Sequence, residues 1–153
     1  MMPNVIHRLV LSLLLALTLG GTASAQTEAQ PKLSTVDLRA GMYNIRAEVA
    51  RTALQTQTGM MFRNEMAAHE GMLFVFDSPA PRCFWMRNTP LPLTIAYIAD
   101  DGAIVDLIDM QPFSDRTHCS SQPVRFALEM NQGWFAKRGI KPGFKLKGPP
   151  FGS

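Results

Sequence analysis

The sequence lacks the short motifs that mark common catalytic and nucleotide-binding sites. It contains no phosphate-binding loop, dinucleotide-binding glycine pattern, nucleophile elbow or zinc-protease motif. Its two cysteines do not form a Cys-x-x-Cys pair, and no close spacing of methionines or histidines indicates copper. We therefore predict no metal site and no cofactor, and we favour a non-enzymatic role.

A strong excess of one charge is also missing. The 15 basic and 12 acidic residues give a net charge of +3. Removing residues 1–25, whose only charged side chain is Arg8, takes away one positive charge and leaves +2. So small an excess does not indicate binding to nucleic acid or to an anionic membrane surface. We expect neither as a partner of the mature chain.

No apolar run is long enough to span a bilayer, which takes roughly 20 residues. The longest run, from Leu9 to Leu19, follows Arg8 and precedes the small residues Ala23-Ser24-Ala25. A positive start, a short apolar segment and a small-x-small site are typical of a secretory signal peptide. We predict that residues 1–25 are removed by cleavage near Ala25 and that the mature protein is periplasmic or secreted.

The remaining residues are enough for one hydrophobic core of ordinary size. The polar segment 26–33 is expected to be a disordered lead-in, residues 34–147 a single globular domain, and residues 148–153 a flexible tail. No internal repeat or low-complexity segment interrupts the domain.

Strand patterns dominate this domain. Strict alternation over residues 43–49 and 124–130 is typical of half-buried strands, and Glu129 falls on the polar side of the second one. Asp101-Gly102 is a strong hairpin signal. Thr52 with Gln55 forms a capping box that predicts the start of a helix extending towards Phe62. The predicted strands are residues 35–39, 43–49, 71–76, 93–99, 103–110, 124–130 and 144–147.

Helices are few in this pattern. Besides the helix after Thr52, Asn131 can cap a second short helix through residues 134–136, with Gly139 just beyond it. About seven short strands with two short helices predict an α+β domain that is predominantly β. We expect a compact sandwich or a partly open barrel.

Cys83 and Cys119 are 36 residues apart, in a chain expected to leave the cytoplasm. A disulfide between them would tether the polar segment 111–123 and stabilise the fold by roughly 3–4 kcal/mol. Two buried free thiols, or a thiol pair used for metal or redox chemistry, remain as alternatives at this point.

A polar corner follows the aromatic residues Phe84 and Trp85. The prolines at 90 and 92 exclude a helix there, so we predict a strand that ends in the corner. A guanidinium beside an indole suits a planar or sugar-like polar ligand, and we predict that the corner binds a small polar ligand or an envelope protein. The candidate ligand-binding residues are Arg63, Trp85, Arg87, Asn88 and Thr89.

The corner also has a purely structural interpretation. Asn88 and Thr89 could satisfy backbone groups at a turn, with Arg87 solvated or paired with Glu65 or Glu70. A second hypothesis is a small hydrolase-like enzyme with His118 as general base and Asp109 as its orienting carboxylate. A third is a structural or chaperone-like envelope protein, which predicts a flat apolar patch and no pocket.

Three segments in this order and at these spacings resemble a known family, the domain of unknown function 192. They are Gly59-Met60-Met61-Phe62-Arg63, Gly71-Met72-Leu73-Phe74-Val75-Phe76 and Phe84-Trp85-Met86-Arg87-Asn88-Thr89. The resemblance covers roughly residues 34–147. It implies a small, mostly β domain, often exported, with no established activity. The family usually places an aspartate where this chain has Thr94, so any chemistry of that carboxylate would pass to Asp106 or Asp109 here.

Overall fold

The computed structural model describes residues 27–151. The predicted signal peptide, residues 1–25, lies outside the described residues. Within the described part the chain forms eight strands, one α-helix and one 3-10 turn. The strands are β1 (Thr35–Ala40), β2 (Tyr43–Ala50), β3 (Glu70–Ala80), β4 (Cys83–Phe84), β5 (Leu93–Ile98), β6 (Ile104–Met110), β7 (His118–Cys119) and β8 (Val124–Asn131).

Six strands form one sheet in the order β1-β2-β3-β8-β5-β6, and β4 pairs with β7 in a separate two-stranded sheet. β2 and β3 run parallel, whereas the other pairs are antiparallel. The six-stranded sheet is not closed into a barrel, since β1 and β6 are its two edges. The expectation of a predominantly β fold with few helices is confirmed.

Both hairpins expected from the sequence are present. β1 and β2 pair antiparallel across Gly41, whose φ of 62° is the left-handed conformation that glycine adopts at little cost. β5 and β6 meet at Asp101-Gly102, where the Asp101 carboxylate accepts a hydrogen bond of 3.1 Å from the Ala103 amide. In both cases the turn residues and the alternation on either side are local features of the sequence.

The parallel pair is joined by helix α1 (Ala53–Thr58), which starts at the predicted capping box. Thr52 and Gln55 exchange the two cap hydrogen bonds. The helix is shorter than expected, because it ends at Gly59 with a φ of 47° and does not reach Phe62. A Cβ at position 59 would lie 3.2 Å from Phe74 Cζ, so the chain comes close to the sheet at this point.

The core occupies both faces of the sheet, and β8 lies in its middle. Side chains alternate along a strand, so Leu128 and Met130 face one cluster of buried residues while Ala127 and Glu129 face the other. The second face is covered by α1, by the segment around Met86 and by the β4–β7 pair. A strand in this position is buried on both sides, whereas the sequence pattern predicted a half-buried one.

The end of the domain differs from the expectation. Residues 144–147 form no strand and make only two isolated bridges, Arg39 with Lys147 and Ala103 with Lys145. The second helix is a 3-10 turn over Ala136–Arg138, closed by Gly139 in the left-handed conformation. A short segment at a sheet edge has too few partners to extend a ladder.

The two flanking segments contact the domain where they are described. Gln30, in the expected disordered lead-in, donates from Nε2 to the carbonyls of Gln55 and Gly59 at 3.1 and 2.9 Å. Phe151, in the expected flexible tail, packs edge-on against Phe126 with ring centroids 5.0 Å apart. No helix among residues 27–151 has the length and hydropathy of a membrane span.

Candidate functional site

A cavity of about 630 Å³ lies on the face of the sheet covered by α1 and β4. We call it the Glu129 pocket, after the residue at its sheet side. Its lining includes Met60, Phe74, Phe76, Phe84, Trp85 and Glu129. Four of these six side chains are aromatic, and threonine, glutamine and arginine side chains are also part of the lining.

Glu129 is the unusual group in this pocket. The residue is 3% exposed, and its Oε2 atom has no hydrogen-bond partner. Burial raises the pKa of Glu129 to about 8, so the carboxyl holds its proton at neutral pH. Buried polar groups normally have partners, and an unpartnered acid in a cleft indicates a functional site.

The position of Glu129 follows from the strand order. It pairs with Met72 of β3 on one side and Ile95 of β5 on the other. The alternation in residues 124–130 shows only which side chains share a face, so the sequence alone placed Glu129 on a polar face. An acidic residue within the otherwise apolar run 126–130 was the available signal, but its meaning depends on β8 being central.

The rim of the pocket is tethered by the two cysteines. Cys83 in β4 lies opposite Cys119 in β7, with the Sγ atoms 2.04 Å apart, the distance of a disulfide. Neither residue is buried. Next to Cys83, the Phe84 ring packs edge-on against Phe74 at 4.7 Å and against Tyr97 at 5.9 Å. The tether therefore holds an aromatic wall of the pocket against the sheet.

Trp85 lines the same pocket and is 40% exposed. The Arg87 guanidinium stacks over its ring at 4.0 Å, and Arg87 Nε donates to Asp115 Oδ1 at 2.7 Å. The partner of Arg87 is thus Asp115, and neither Glu65 nor Glu70. This places a cation over Trp85 at the surface, beside the mouth.

Asn88 and Thr89 shape the backbone of the corner. Asn88 has a φ of 55°, and its carbonyl accepts from the Phe62 amide at 2.7 Å. Thr89 is buried and lines the Glu129 pocket. Asn88 lies instead in a second cavity of about 450 Å³ with Phe62 and Phe113. Phe62, Asn88 and Phe113 all have positive φ, a strained conformation for a side-chain-bearing residue.

Arg63 is not part of the pocket lining. It is buried and forms a two-pronged ion pair with Glu48, with both N–O distances at 3.0 Å. Burial alone would raise the pKa of Glu48, but hydrogen bonds from Arg63, the Leu33 amide and Lys32 outweigh it and lower that pKa. The structure therefore directs Arg63 to a buried ion pair, away from Arg87.

His118 and Asp109 are not brought together. Asp109 Oδ1 accepts from Thr94 Oγ1 at 2.5 Å, on the face of the sheet opposite Glu129. The His118 carbonyl accepts from the Tyr97 hydroxyl at 2.5 Å, so β7 lies over the other face. Burial, with Arg116 nearby, lowers the pKa of His118. Within residues 27–151, no hydrogen bond or ion pair joins the His118 ring to a carboxylate.

Acidic, thiol and imidazole side chains are scattered in this domain. Among residues 27–151, no three or more His, Cys, Asp or Glu side chains converge at a spacing suited to a metal ion. The Glu129 pocket holds one carboxyl group, two methionine thioethers at Met60 and Met61, and aromatic rings. These groups can bind an organic molecule by packing, ring contacts and a single strong polar interaction.

Architecture and pocket together define a small, predominantly β domain with a buried acid beneath an aromatic rim. A family model matches residues 36–148, and the chain belongs to that family, DUF192, described as an uncharacterized ACR. Its function is unknown. The resemblance noted in the sequence is thereby confirmed.

Two solved structures are similar to the chain. One is a protein from Sinorhizobium meliloti 1021 proposed to be a transcription regulator, with 34% identity and a TM-score of 0.74, covering 78% of this chain and 97% of that one. The other is a protein of unknown function from Novosphingobium aromaticivorans DSM 12444, with 32% identity and a TM-score of 0.70, covering 81% and 94%. No curated protein matches the chain.

Proposed function

We propose that this protein is an exported, non-enzymatic binding protein that takes a small organic ligand into the Glu129 pocket. One observation carries the proposal: Glu129, a residue that is 97% buried and has an unpartnered carboxyl oxygen, is part of the lining of a cavity of about 630 Å³. Leaving a buried polar group unsatisfied costs roughly 1–3 kcal/mol, and a ligand that satisfies it recovers that energy on binding.

The geometry favours binding over hydrolysis. Hydrolysis by general base catalysis needs a base within hydrogen-bond reach of the reacting group. His118 has no carboxylate to orient it within residues 27–151, and Asp109 lies on the opposite face of the sheet. The pocket instead offers packing surface and one polar group, which suffice to hold a ligand.

Export is the second part of the proposal. It rests on the signal-peptide pattern of residues 1–25 and is compatible with the cysteine pair, since disulfides persist mainly in oxidising compartments. A periplasmic or secreted binding protein would meet metabolites of the cell envelope, so these are the ligands to screen first.

The proposal is tested by a thermal-shift screen of purified residues 26–153 against envelope metabolites, sugars, amines, anions and divalent metals. A ligand at 100 times its Kd adds about 2.7 kcal/mol to the free energy of unfolding. We expect hits that Trp85→Ala abolishes, because Trp85 lines the pocket and is exposed enough for the variant to fold. Met42→Ala, at an exposed residue outside the pocket, is the matched control.

Two outcomes would overturn this function. One is a panel without any hit, which would redirect the search to an envelope protein partner. The other is a set of hits equally weakened by Met42→Ala and Trp85→Ala, since that result would separate ligand binding from the pocket.

A further inference from the structure

The Glu129 pocket has two ionisable side chains in its lining, and they do not pair with each other. Among its described lining residues, Glu129 is the one acidic side chain and Arg82 the one basic side chain. Arg82 does not pair with Glu129: its guanidinium lies 3.9 Å over the Phe76 ring, and its Nη2 donates to the Ser78 carbonyl at 2.6 Å. Glu129 therefore has no positive partner among these residues, and Arg82 Nε is likewise buried without a hydrogen-bond partner.

The aromatic walls of the pocket favour a positively charged ligand. The faces of aromatic rings carry partial negative charge and attract cations, more strongly where water is excluded. The rim already shows this preference, because Arg82 stacks on Phe76 and Arg87 stacks on Trp85. Phe74 and Phe84 also line the cavity, and within residues 27–151 no cation stacks on either ring.

We infer that the Glu129 pocket binds an organic cation, namely a protonated amine carried on an apolar body, with its nitrogen against Glu129 and its body against Phe74, Phe84 and Trp85. This inference rests on the proposed function and specifies its ligand class. An ammonium group pairs with the ionised acid and donates to its unpartnered oxygen, which a purely apolar ligand leaves unsatisfied.

Binding of such a ligand releases one proton. The ligand enters as an ammonium ion, the neutral Glu129 carboxyl ionises against it, and the carboxyl proton passes to solvent. Because the free carboxyl is protonated below about pH 8, the affinity for an amine rises with pH up to that value. A neutral ligand that accepts a hydrogen bond from the protonated acid would instead weaken above pH 8.

The pH dependence of amine affinity is expected to come from Glu129 and not from the groups around it. Tyr97 of β5 has a raised pKa, because of burial and of the charges of Glu129 and Asp106, so it stays neutral at these pH values. Arg82, just before β4, is the basic side chain of the lining. His118 of β7 has a lowered pKa and lies across from Phe84. β3 and α1 line the pocket with uncharged side chains only.

The test uses three probes that share one ring and differ in the polar group: phenethylamine, 2-phenylethanol and phenylacetate. Their Kd values are measured by calorimetry on residues 26–153 at pH 6.5 and 7.5. We expect phenethylamine to bind tightest and its Kd to fall about tenfold between these pH values. Glu129→Gln should weaken it at least tenfold and remove the pH dependence. Glu65→Gln, at an exposed acid, should change neither.

The outcomes separate this inference from the proposed function. If the alcohol or the anion binds more tightly than the amine, and Trp85→Ala abolishes that binding, the inference of a cationic ligand is wrong. Ligand binding in the Glu129 pocket would still be supported. Equal amine binding by the protein and by Glu129→Gln would also overturn it. Failure of all three probes overturns the inference, whereas the proposed function falls only if the wider screen yields no pocket ligand.

Discussion

At the scale of single residues, Glu129 makes stability depend on pH. Its pKa is raised from 4.5 to about 8 in the folded protein, so the folded state holds a proton that the unfolded chain has lost. The stabilisation is complete below about pH 4.5 and disappears as the pH rises to 8. At about 1.4 kcal/mol per pH unit, the total is roughly 5 kcal/mol.

We predict that the free energy of unfolding of the protein falls over this pH window, whereas that of Glu129→Gln does not. Urea unfolding at intervals between pH 4 and 9 measures both curves. The free energy of unfolding of Glu129→Gln should rise relative to that of the protein as the pH rises, because an amide cannot ionise. Parallel curves would show that Glu129 titrates normally, and Glu65→Gln should run parallel to the protein.

Two arginines near the corner should differ in their effect on stability. Arg63 is buried against Glu48, so Arg63→Ala removes the two-pronged partner of a buried carboxylate and leaves it the Leu33 amide and the exposed Lys32. We expect a cost of roughly 3 kcal/mol, at the lower end for a broken buried pair. Arg87 pairs with Asp115 at an exposed site, and Arg87→Ala should cost less than about 1 kcal/mol. Thermal unfolding of the two variants side by side tests the contrast, and similar losses would contradict it.

At the scale of secondary-structure elements, the shortest strands depend on the cysteines. β4 and β7 have two residues each, and their pairing is the frame for the Cys83–Cys119 bond. Without that bond the wall containing Phe84 is held by its ring contacts and by the hydrogen bonds of Arg82 and Met86 to Ser120 and Ser114. The bond also closes a loop of 36 residues in sequence separation.

We predict that the double variant Cys83→Ser with Cys119→Ser unfolds with about 3–4 kcal/mol less free energy than the oxidised protein. Addition of a reductant should bring the two proteins to the same stability, while leaving the variant unchanged. Peptide mass spectrometry without reductant should find residues 83 and 119 linked. Two thiols open to alkylation in the exported protein would refute the bond.

The elements also show which features a sequence can reveal. The β1–β2 and β5–β6 hairpins and the Thr52 cap were predictable because each depends on neighbours within a few residues. β7 lay within a stretch predicted to be a loop, since its two residues form a strand only against β4, 35 or so positions away. Pairing between distant segments leaves little local trace.

The candidate site divides in the same way. Trp85 and Thr89 were candidate ligand-binding residues because they lie at a polar corner next to prolines. Both line the Glu129 pocket, and ligand binding by them stays a prediction. Arg63 was grouped with them by residue type alone, while the fold directs it to Glu48. Glu129 was missed because its burial is set by two strands that are distant in sequence.

At the scale of the whole molecule, the exported form should be the shorter chain. We predict that protein recovered from the periplasm or medium of an expressing bacterium has the intact mass of residues 26–153, less two hydrogens for the disulfide. Signal peptidases cut after small residues, and Ala25 ends such a site. Recovery of a product that retains residues 1–25 would contradict this prediction.

The place of β8 in the sheet affects how the chain can be made. β8 is the last strand in sequence and joins β3 to β5, so before residues 124–131 leave the ribosome the six-stranded sheet can form only as two separate ladders, β1-β2-β3 and β5-β6. Each ladder then presents an open edge that β8 later covers. Completion of the six-stranded sheet therefore waits for the C-terminal fifth of the chain.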